Sequence, residues 1–473
     1  MTATAHASYK RRDAMGCSPG RERSSELLAR WFRRYECQRR GITVNFRDAA
    51  EWVAYGERAT HLIHPYPAKL LPHIPAFFLA NDLLSRPGDV VLDSFCGSGT
   101  VLLECALAGR VGLGADANPL ARLISRVKIT PLSPESIERE ALRLMARVPR
   151  SPNGEPPNVC NLTYWYHPHA IADLQRLKEA VDETEDGALR RFFQVAFSAT
   201  ARRSSLADPR LSVPVRLKRN QYPKGHWLRK RSNARLDALR TMDVLHLFRN
   251  VVVTNTRRMA EYIRELPSGV GSCQVLGSDA RRLHDEVGFR YARGAQIPTG
   301  SVRLALTSPP YLGAQKYIRA SSLSLGWLGF TSSTSLRELE QQNIGREHYH
   351  SDELGLAVDA APSAARALLR RIERKNPLRA HIAAQYLVEM QDAIRETSRV
   401  LQPGGYLVLV SADNRVCGTV FPTERLLRDM AEDAGLTPRL RLIDTIHSRG
   451  LMTRRNSTAS IISREVVSVF ENP

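Results

Sequence analysis

The 473-residue chain has a mass of 53.0 kDa, enough for one large α/β core with a sizeable insertion or second lobe and too long for a small stapled scaffold. Its 68 Lys and Arg against 48 Asp and Glu leave a net charge of +20 and a pI near 10.0, which points to an acidic polymer or membrane surface as partner, nucleic acid first. Mean hydropathy is −0.30, with no apolar run near the roughly 20 residues that span a bilayer and no apolar core of a secretory leader, so a cytoplasmic setting is expected.

Residues 1–48 read as a basic N-terminal arm. Ten basic and four acidic residues stand before Gly41, with an amphipathic helical pattern around Glu26 to Arg40. Such an arm suits a phosphate backbone, although a solvated tail has the same composition.

Residues 49–130 carry the first nucleotide-type unit. The short apolar run Val90–Phe95 ends in the glycine turn Cys96-Gly97-Ser98-Gly99-Thr100, a helical pattern follows from Val101, and a second strand runs from Val111 to Asp116. Asn118-Pro119 then opens another helix, Asn as cap and Pro in the first turn. The informative feature is the acid at each strand end, Asp93 and Asp116. A pyrophosphate wants helix amides without a carboxylate beside them, whereas S-adenosylmethionine (SAM) is phosphate-free and cationic. Gly97 and Gly99 permit close backbone approach, and Asp116 is placed to accept from ribose hydroxyls.

Residues 131–272 interrupt the strand alternation with helical patterns and a basic stretch, 202–231, which holds ten Lys or Arg and a single acid, Asp208. Arg216, Lys218, Arg219, Lys224, Arg229, Lys230 and Arg231 are interleaved there with Tyr222, His226 and Trp227, a mixture that can follow phosphates while stacking on bases. A solvated surface loop is the competing reading. Residues 273–473 resume the strands at Cys273–Gly277, Val302–Thr307, Tyr406–Ser411, Arg439–Ile446 and Ile461–Phe470, the last two as an antiparallel hairpin. The strand Val302–Leu306 runs into Thr307-Ser308-Pro309-Pro310-Tyr311, where two prolines stiffen the chain, free carbonyls can accept and a Tyr ring offers a stacking face. Seven scattered cysteines without Cys-x-x-Cys spacing give no sign of a disulfide framework or zinc site, and no metal is expected.

The turn Asp93-Ser94-Phe95-Cys96-Gly97-Ser98-Gly99-Thr100 and the loop Ser308-Pro309-Pro310-Tyr311 together resemble the DNA amino-methyltransferase family, whose cofactor motif is D-P-F-x-G-S-G-T and whose catalytic motif is S/D/N-P-P-Y/F/W. The stretch His64-Pro65-Tyr66-Pro67-Ala68-Lys69 is similar to the family segment that precedes the cofactor motif. The resemblance implies a Rossmann-like class I methyltransferase with a mostly parallel seven-stranded sheet, one antiparallel strand and a helical, basic insertion as target-recognition region. It implies SAM as cofactor, held by Pro65, Lys69, Asp93, Phe95, Cys96, Gly97, Gly99, Thr100, Asp116, Asn118 and, after the third strand, Asp279. It implies catalysis at Ser308, Pro309, Pro310 and Tyr311, with double-stranded DNA as substrate and a cognate restriction endonuclease as a possible partner. Ser308 tilts the expected target to the exocyclic nitrogen of cytosine; adenine, or an RNA amine, is the alternative, and an inert nucleic-acid-binding fold a further one. Ser94 departs from the family's Pro.

Overall fold

The computed structural model describes residues 19–53, 56–67, 69–157, 159, 161–269, 272–277, 279–283, 297–313, 316–331, 336–349, 353–354, 356–445 and 464–473. Residues 1–18, Ala68, Ser278 and the turn between the last two expected strands lie outside them.

The strands in chain order are β1 (Ile42–Val44), β2 (Val90–Asp93), β3 (Val111–Ala115), β4 (Gln274–Gly277), β5 (Val302–Thr307), β6 (Leu401–Ser411), β7 (Asn414–Val416), β8 (Thr419–Phe421), β9 (Thr437–Thr445) and β10 (Arg464–Glu471). Eight form one sheet in the order β1-β9-β10-β6-β5-β2-β3-β4, and β7 and β8 make a separate hairpin. All neighbours in the sheet are parallel except that β10 runs antiparallel to both β6 and β9. The mostly parallel α/β sheet with one reversed strand is therefore as expected, with eight strands rather than seven. The extra one is β1, whose Thr43 stands opposite Ile443.

Because side chains alternate along a strand, each strand feeds two cores. Val408 and Val410 of β6 face a layer built from Trp31, Phe46, Phe77 and Phe78, while Leu407 and Leu409 face the long helix Pro377–Val400 and the helix Thr423–Asp433. The first of these layers corrects the reading of residues 1–48 as an arm. The helix Pro19–Gln38 buries Leu28, Trp31 and Tyr35 in that core, and β1 joins the sheet, so residues 19–48 belong to the folded unit. Burying such apolar side chains is worth ~1.5–3 kcal/mol each, more than a solvated arm could recover.

The insertion is helical: Pro134–Arg147, Leu162–Trp165, Pro168–Asp182, Gly187–Ser204, Trp227–Leu239 and Val244–Glu265. It shares one apolar core with the helices Pro119–Ile129 and Tyr317–Trp327. At the junction Trp327 packs edge-on to Tyr166 and Phe197, with ring centroids 5.7 and 6.0 Å away. The insertion is thus continuous with the layer next to the sheet.

Candidate active site

Parallel strands end at a common edge, and ligand sites of open α/β sheets lie there. The glycine turn after β2 is tightened by Cys96 N donating to Ala115 O (2.8 Å) and Gly99 N donating to Cys96 O (2.7 Å). Gly97 and Gly99 have φ of +50° and +76°, a region that costs another residue ~1–2 kcal/mol. At Gly99 a Cβ would also stand 2.8–3.0 Å from Ser125, so this glycine lets the turn rest on the next helix. Asp116 closes the turn from β3: its Oδ2 accepts from Gly97 N (2.9 Å) and its Oδ1 from Asn118 N (2.8 Å). Burial raises its pKa, opposed by those two amides.

The segment 58–69 is strapped across this turn. Glu104 accepts from Arg58 (2.6 Å) and His61 (2.8 Å), Asn255 and Arg258 donate to the carbonyls of Ile63 and Leu62, and Lys69 Nζ donates to those of His61 and His64. Burial pushes the His61 pKa down to about 4, so a neutral imidazole donates Nε2–H to Glu104. The strap delivers Tyr66, whose hydroxyl accepts from Asn118 Nδ2 (3.2 Å) and whose ring lies 3.9 Å from where a Gly97 side chain would start.

Tyr66, Ser94, Phe95, Gly97, Asp116, Asp279, Ser308, Pro310 and Tyr317 line a cleft of about 660 Å³, open solvent included, together with the segment Gln342–Ile344. Asp279 is forked by Arg281, Nε to Oδ1 at 2.8 Å and Nη2 to Oδ2 at 2.9 Å. Burial pulls its pKa up, but Arg281 outweighs that and holds it below the usual range, so it faces the cleft as a carboxylate. Arg281 also reaches the Gln342 carbonyl (3.3 Å), tying Asp279 to the segment 342–344.

Six of the expected site residues, Phe95, Gly97, Asp116, Asp279, Ser308 and Pro310, line the cleft. Others stand behind it. Asp93 is buried and accepts from Thr307 Oγ1 (2.7 Å) and Phe95 N (3.2 Å), which ties the glycine turn to β5. Burial raises its pKa to about 7. Cys96 and Thr100 are buried in the turn and Gly99 caps its helix; Asn118 caps the next helix and buttresses Tyr66; Lys69 holds the strap; Pro65 is exposed. Pro309 and Tyr311 are outside the lining, and the Tyr311 hydroxyl donates to Glu465 (3.0 Å). Sequence reasoning missed Tyr66, Ser94, Tyr317 and 342–344. Of these, Tyr66 was marked by its place in the His64–Lys69 stretch and Ser94 by its place in the glycine turn, and the last two carry no local signal. Ser94 puts a buried hydroxyl with no partner among the described residues beside the cleft, where the resemblance gave only a missing Pro. Beyond Tyr317 and Asn343 the cleft continues into a recess of about 400 Å³, where Lys316 and Arg319 pair with Glu347 and Glu340 at 3.0 Å each.

The basic stretch of the insertion forms a face of its own. Tyr222, His226 and Trp227 stack in series, centroids 5.1 and 6.2 Å apart, with Trp227 66% exposed at the end. Arg216 lies 4.6 Å over the Tyr164 ring, Arg219 pairs with Asp237 and Arg229 donates to the Tyr222 carbonyl (3.3 Å). Lys218, Lys224, Lys230 and Arg231 are exposed. Asp208 is consumed by Arg210, so the one acid of the stretch is neutralised.

Residues 58–125, from strap to turn, match the family model described as DNA methylase. The chain is 24% identical over 387 residues to the Type II methyltransferase M.MvaI of Kocuria varians, covering 78% of this chain and 80% of that one. It is 20% identical over 439 residues to M.BsoBI of Geobacillus stearothermophilus (82% and 80% covered) and 30% identical over 107 residues to M.MjaII of Methanocaldococcus jannaschii (22% and 20% covered), both Type II methyltransferases. The chain is thus similar to DNA amino-methyltransferases over the strap and glycine turn, and to Type II methyltransferases over most of its length. The methyl donor of an amino-methyltransferase is SAM, and the cleft fits it: two carboxylates, three aromatic rings and a free hydroxyl line it, and among the described residues no Lys or Arg does, in a chain of net charge +20.

Proposed function

We propose that the protein is a site-specific modification enzyme that methylates the exocyclic nitrogen of a base flipped out of double-stranded DNA, cytosine N(4) in preference to adenine N(6). The carrying observation is the two-carboxylate cleft, without a Lys or Arg among its described lining residues, that opens beside Ser308 and Pro310. When bound, SAM supplies a methyl group already activated on its sulfonium. Asp116 is the acceptor for ribose hydroxyls, Asp279 for the adenine amine, and Phe95, Tyr66 and Tyr317 give the apolar walls.

The chain's remaining task is to reshape the target amine, whose lone pair is delocalised into the ring. The Ser308 side chain and carbonyl and the Pro309 carbonyl accept from its two N–H groups, which draws the lone pair out of conjugation and stabilises the growing positive charge. Pro309 and Pro310 fix the direction of those acceptors, so orientation supplies much of the rate. Tyr311 offers the flipped base a ring, and flipping costs a few kcal/mol. Ser308 favours cytosine because, in the family that the loop resembles, Ser at the first catalytic position goes with cytosine and Asp or Asn with adenine. The face of Arg216, Lys218, Arg219, Lys224, Trp227, Arg229, Lys230 and Arg231 holds the duplex through phosphates and stacking.

Incubation of the protein with labelled SAM and unmethylated duplex DNA, then digestion to nucleosides and mass spectrometry, is expected to yield N(4)-methylcytosine. Methyladenine alone overturns the base assignment, and label found only in RNA overturns the substrate.

A further inference from the structure

Methylating a neutral amine leaves a cationic product nitrogen that must lose a proton. Ser308 can pass such a proton on but cannot keep it, since a protonated hydroxyl is a strong acid. The sheet topology brings a better acceptor to the same loop. β5 ends at Thr307, opposite Leu409 of β6, and β10 starts alongside the end of β6, with Val466 opposite Ser411. Because β10 is reversed, its first residues reach the edge from which Ser308–Tyr311 departs. Glu465 stands there, 154 residues beyond Tyr311, and accepts from the Tyr311 hydroxyl at 3.0 Å.

Tyr311 is bonded on its other side by the Ser308 side chain. Because the single Tyr311 hydroxyl proton goes to Glu465, the phenol oxygen can only accept from Ser308, and burial keeps Tyr311 protonated. Ser308, Tyr311 and Glu465 therefore form a chain in which each member donates to the next, directed away from the cleft. Asp444 lies opposite Glu465 on β9 and is buried. Burial first, and then Asp444, raise the Glu465 pKa against the pull of the Tyr311 bond, which makes Glu465 a stronger base than a carboxylate in water.

We infer that Glu465 is the terminal acceptor of the proton lost by the methylated amine, which reaches it through Ser308 and Tyr311. The amine lone pair forms the N–C bond, and the C–S electron pair returns to sulfur, leaving a neutral thioether. One N–H bond of the cationic product then breaks and its proton goes to Ser308 Oγ. The Ser308 hydroxyl proton goes to Tyr311 Oη, and the Tyr311 proton to Glu465 Oε1. The products are a neutral N-methyl amine and a carboxylic acid at Glu465, which returns its proton to solvent between turnovers.

This rests on the reading of Ser308–Tyr311 as the amine-binding loop. The test is the single-turnover rate on a kilobase-length unmethylated duplex, with SAM affinity measured separately. Glu465→Gln keeps an oxygen that accepts from Tyr311 but cannot take up a proton, so a merely structural role predicts wild-type rates. The relay predicts a fall of at least about tenfold with SAM affinity within about twofold. Tyr311→Phe should fall comparably, the double variant should be no slower than the worse single, and Glu465→Asp should recover part of the rate. A Glu465→Gln rate within about twofold of wild type, or losses that multiply in the double variant, overturns the relay alone. A wild-type protein that binds SAM but methylates no DNA overturns the reading beneath it and the relay together.

Discussion

The carboxyl edge of the sheet and the basic face of the insertion treat polar groups in opposite ways. At the edge most are engaged before any ligand arrives: Asp93 by Thr307 and Phe95, Asp116 by two backbone amides, Asp279 by Arg281. On the insertion, Lys218, Lys224, Lys230, Arg231 and the Trp227 ring face solvent on an ordered scaffold of stacked rings and internal ion pairs. A change at the edge should therefore alter both the shape of the site and its affinity. A change on the insertion should alter affinity and leave the shape alone.

The largest effect is expected from Asp116→Ala, which frees the amides of Gly97 and Asn118 and removes the proposed ribose acceptor. At about 1–3 kcal/mol per stranded buried donor, SAM affinity measured by calorimetry should fall by about 100-fold or more. Retention of wild-type affinity would break the claim that this turn is the cofactor site. Next is the charge reversal Arg229→Glu, Lys230→Glu, Arg231→Glu. Affinity for duplex DNA should drop by more than about tenfold, and the slope of log K against log salt should shrink by about 0.9 for each phosphate contact removed, while SAM affinity stays unchanged. An unaltered salt slope returns the stretch to a solvated surface.

Trp227→Ala is milder. A stacked base is worth ~1–3 kcal/mol, so affinity for single-stranded or distorted DNA should fall by that order. Because Trp227 is 66% exposed, the midpoint of denaturant unfolding should not move; a shift would make the ring a packing element and spoil the contrast. The last test returns to the edge and concerns stability. With its pKa raised to about 7 from 3.8, Asp93 keeps in the folded state a proton that the unfolded chain has released between those values. Its contribution therefore declines as pH rises from about 4 to about 7 and is level above. Asp93→Asn, which still accepts from Thr307, should flatten that decline in urea midpoints measured across the window, and an unchanged profile would mean that Asp93 is ionised throughout.

Residues that act within one turn of chain were readable: the glycines of 97 and 99, the strand-end acids and the Ser-Pro-Pro-Tyr loop announce themselves by spacing. Whether such a residue faces the cleft or braces it was not, because that depends on partners elsewhere. Asn118 was read correctly as a helix cap, and the same geometry withdraws it from the cleft and aims its amide at Tyr66. Tyr66, one residue from the expected Pro65, enters because the Arg58–Glu104 and Arg258–Leu62 contacts orient the whole strap. Glu465 and the segment 342–344 left no trace in sequence, since pairing between distant strands and loops has no local period. For β1, three residues were too few to show an alternation.

The place of β10 between β6 and β9 has a consequence for how the protein is made. β10 follows β9 in the chain, yet β9 touches the main sheet only through it, and β1 touches the sheet only through β9. A nascent chain extended only through β9 exposes the bare β6 edge, while β1 and β9, whose paired residues Ile42 and Leu442 lie 400 positions apart, have nothing to dock on. Assembly of that half of the sheet is thus postponed until translation has passed β10, and folding should be slow and dependent on protection of the β6 edge against pairing with other chains.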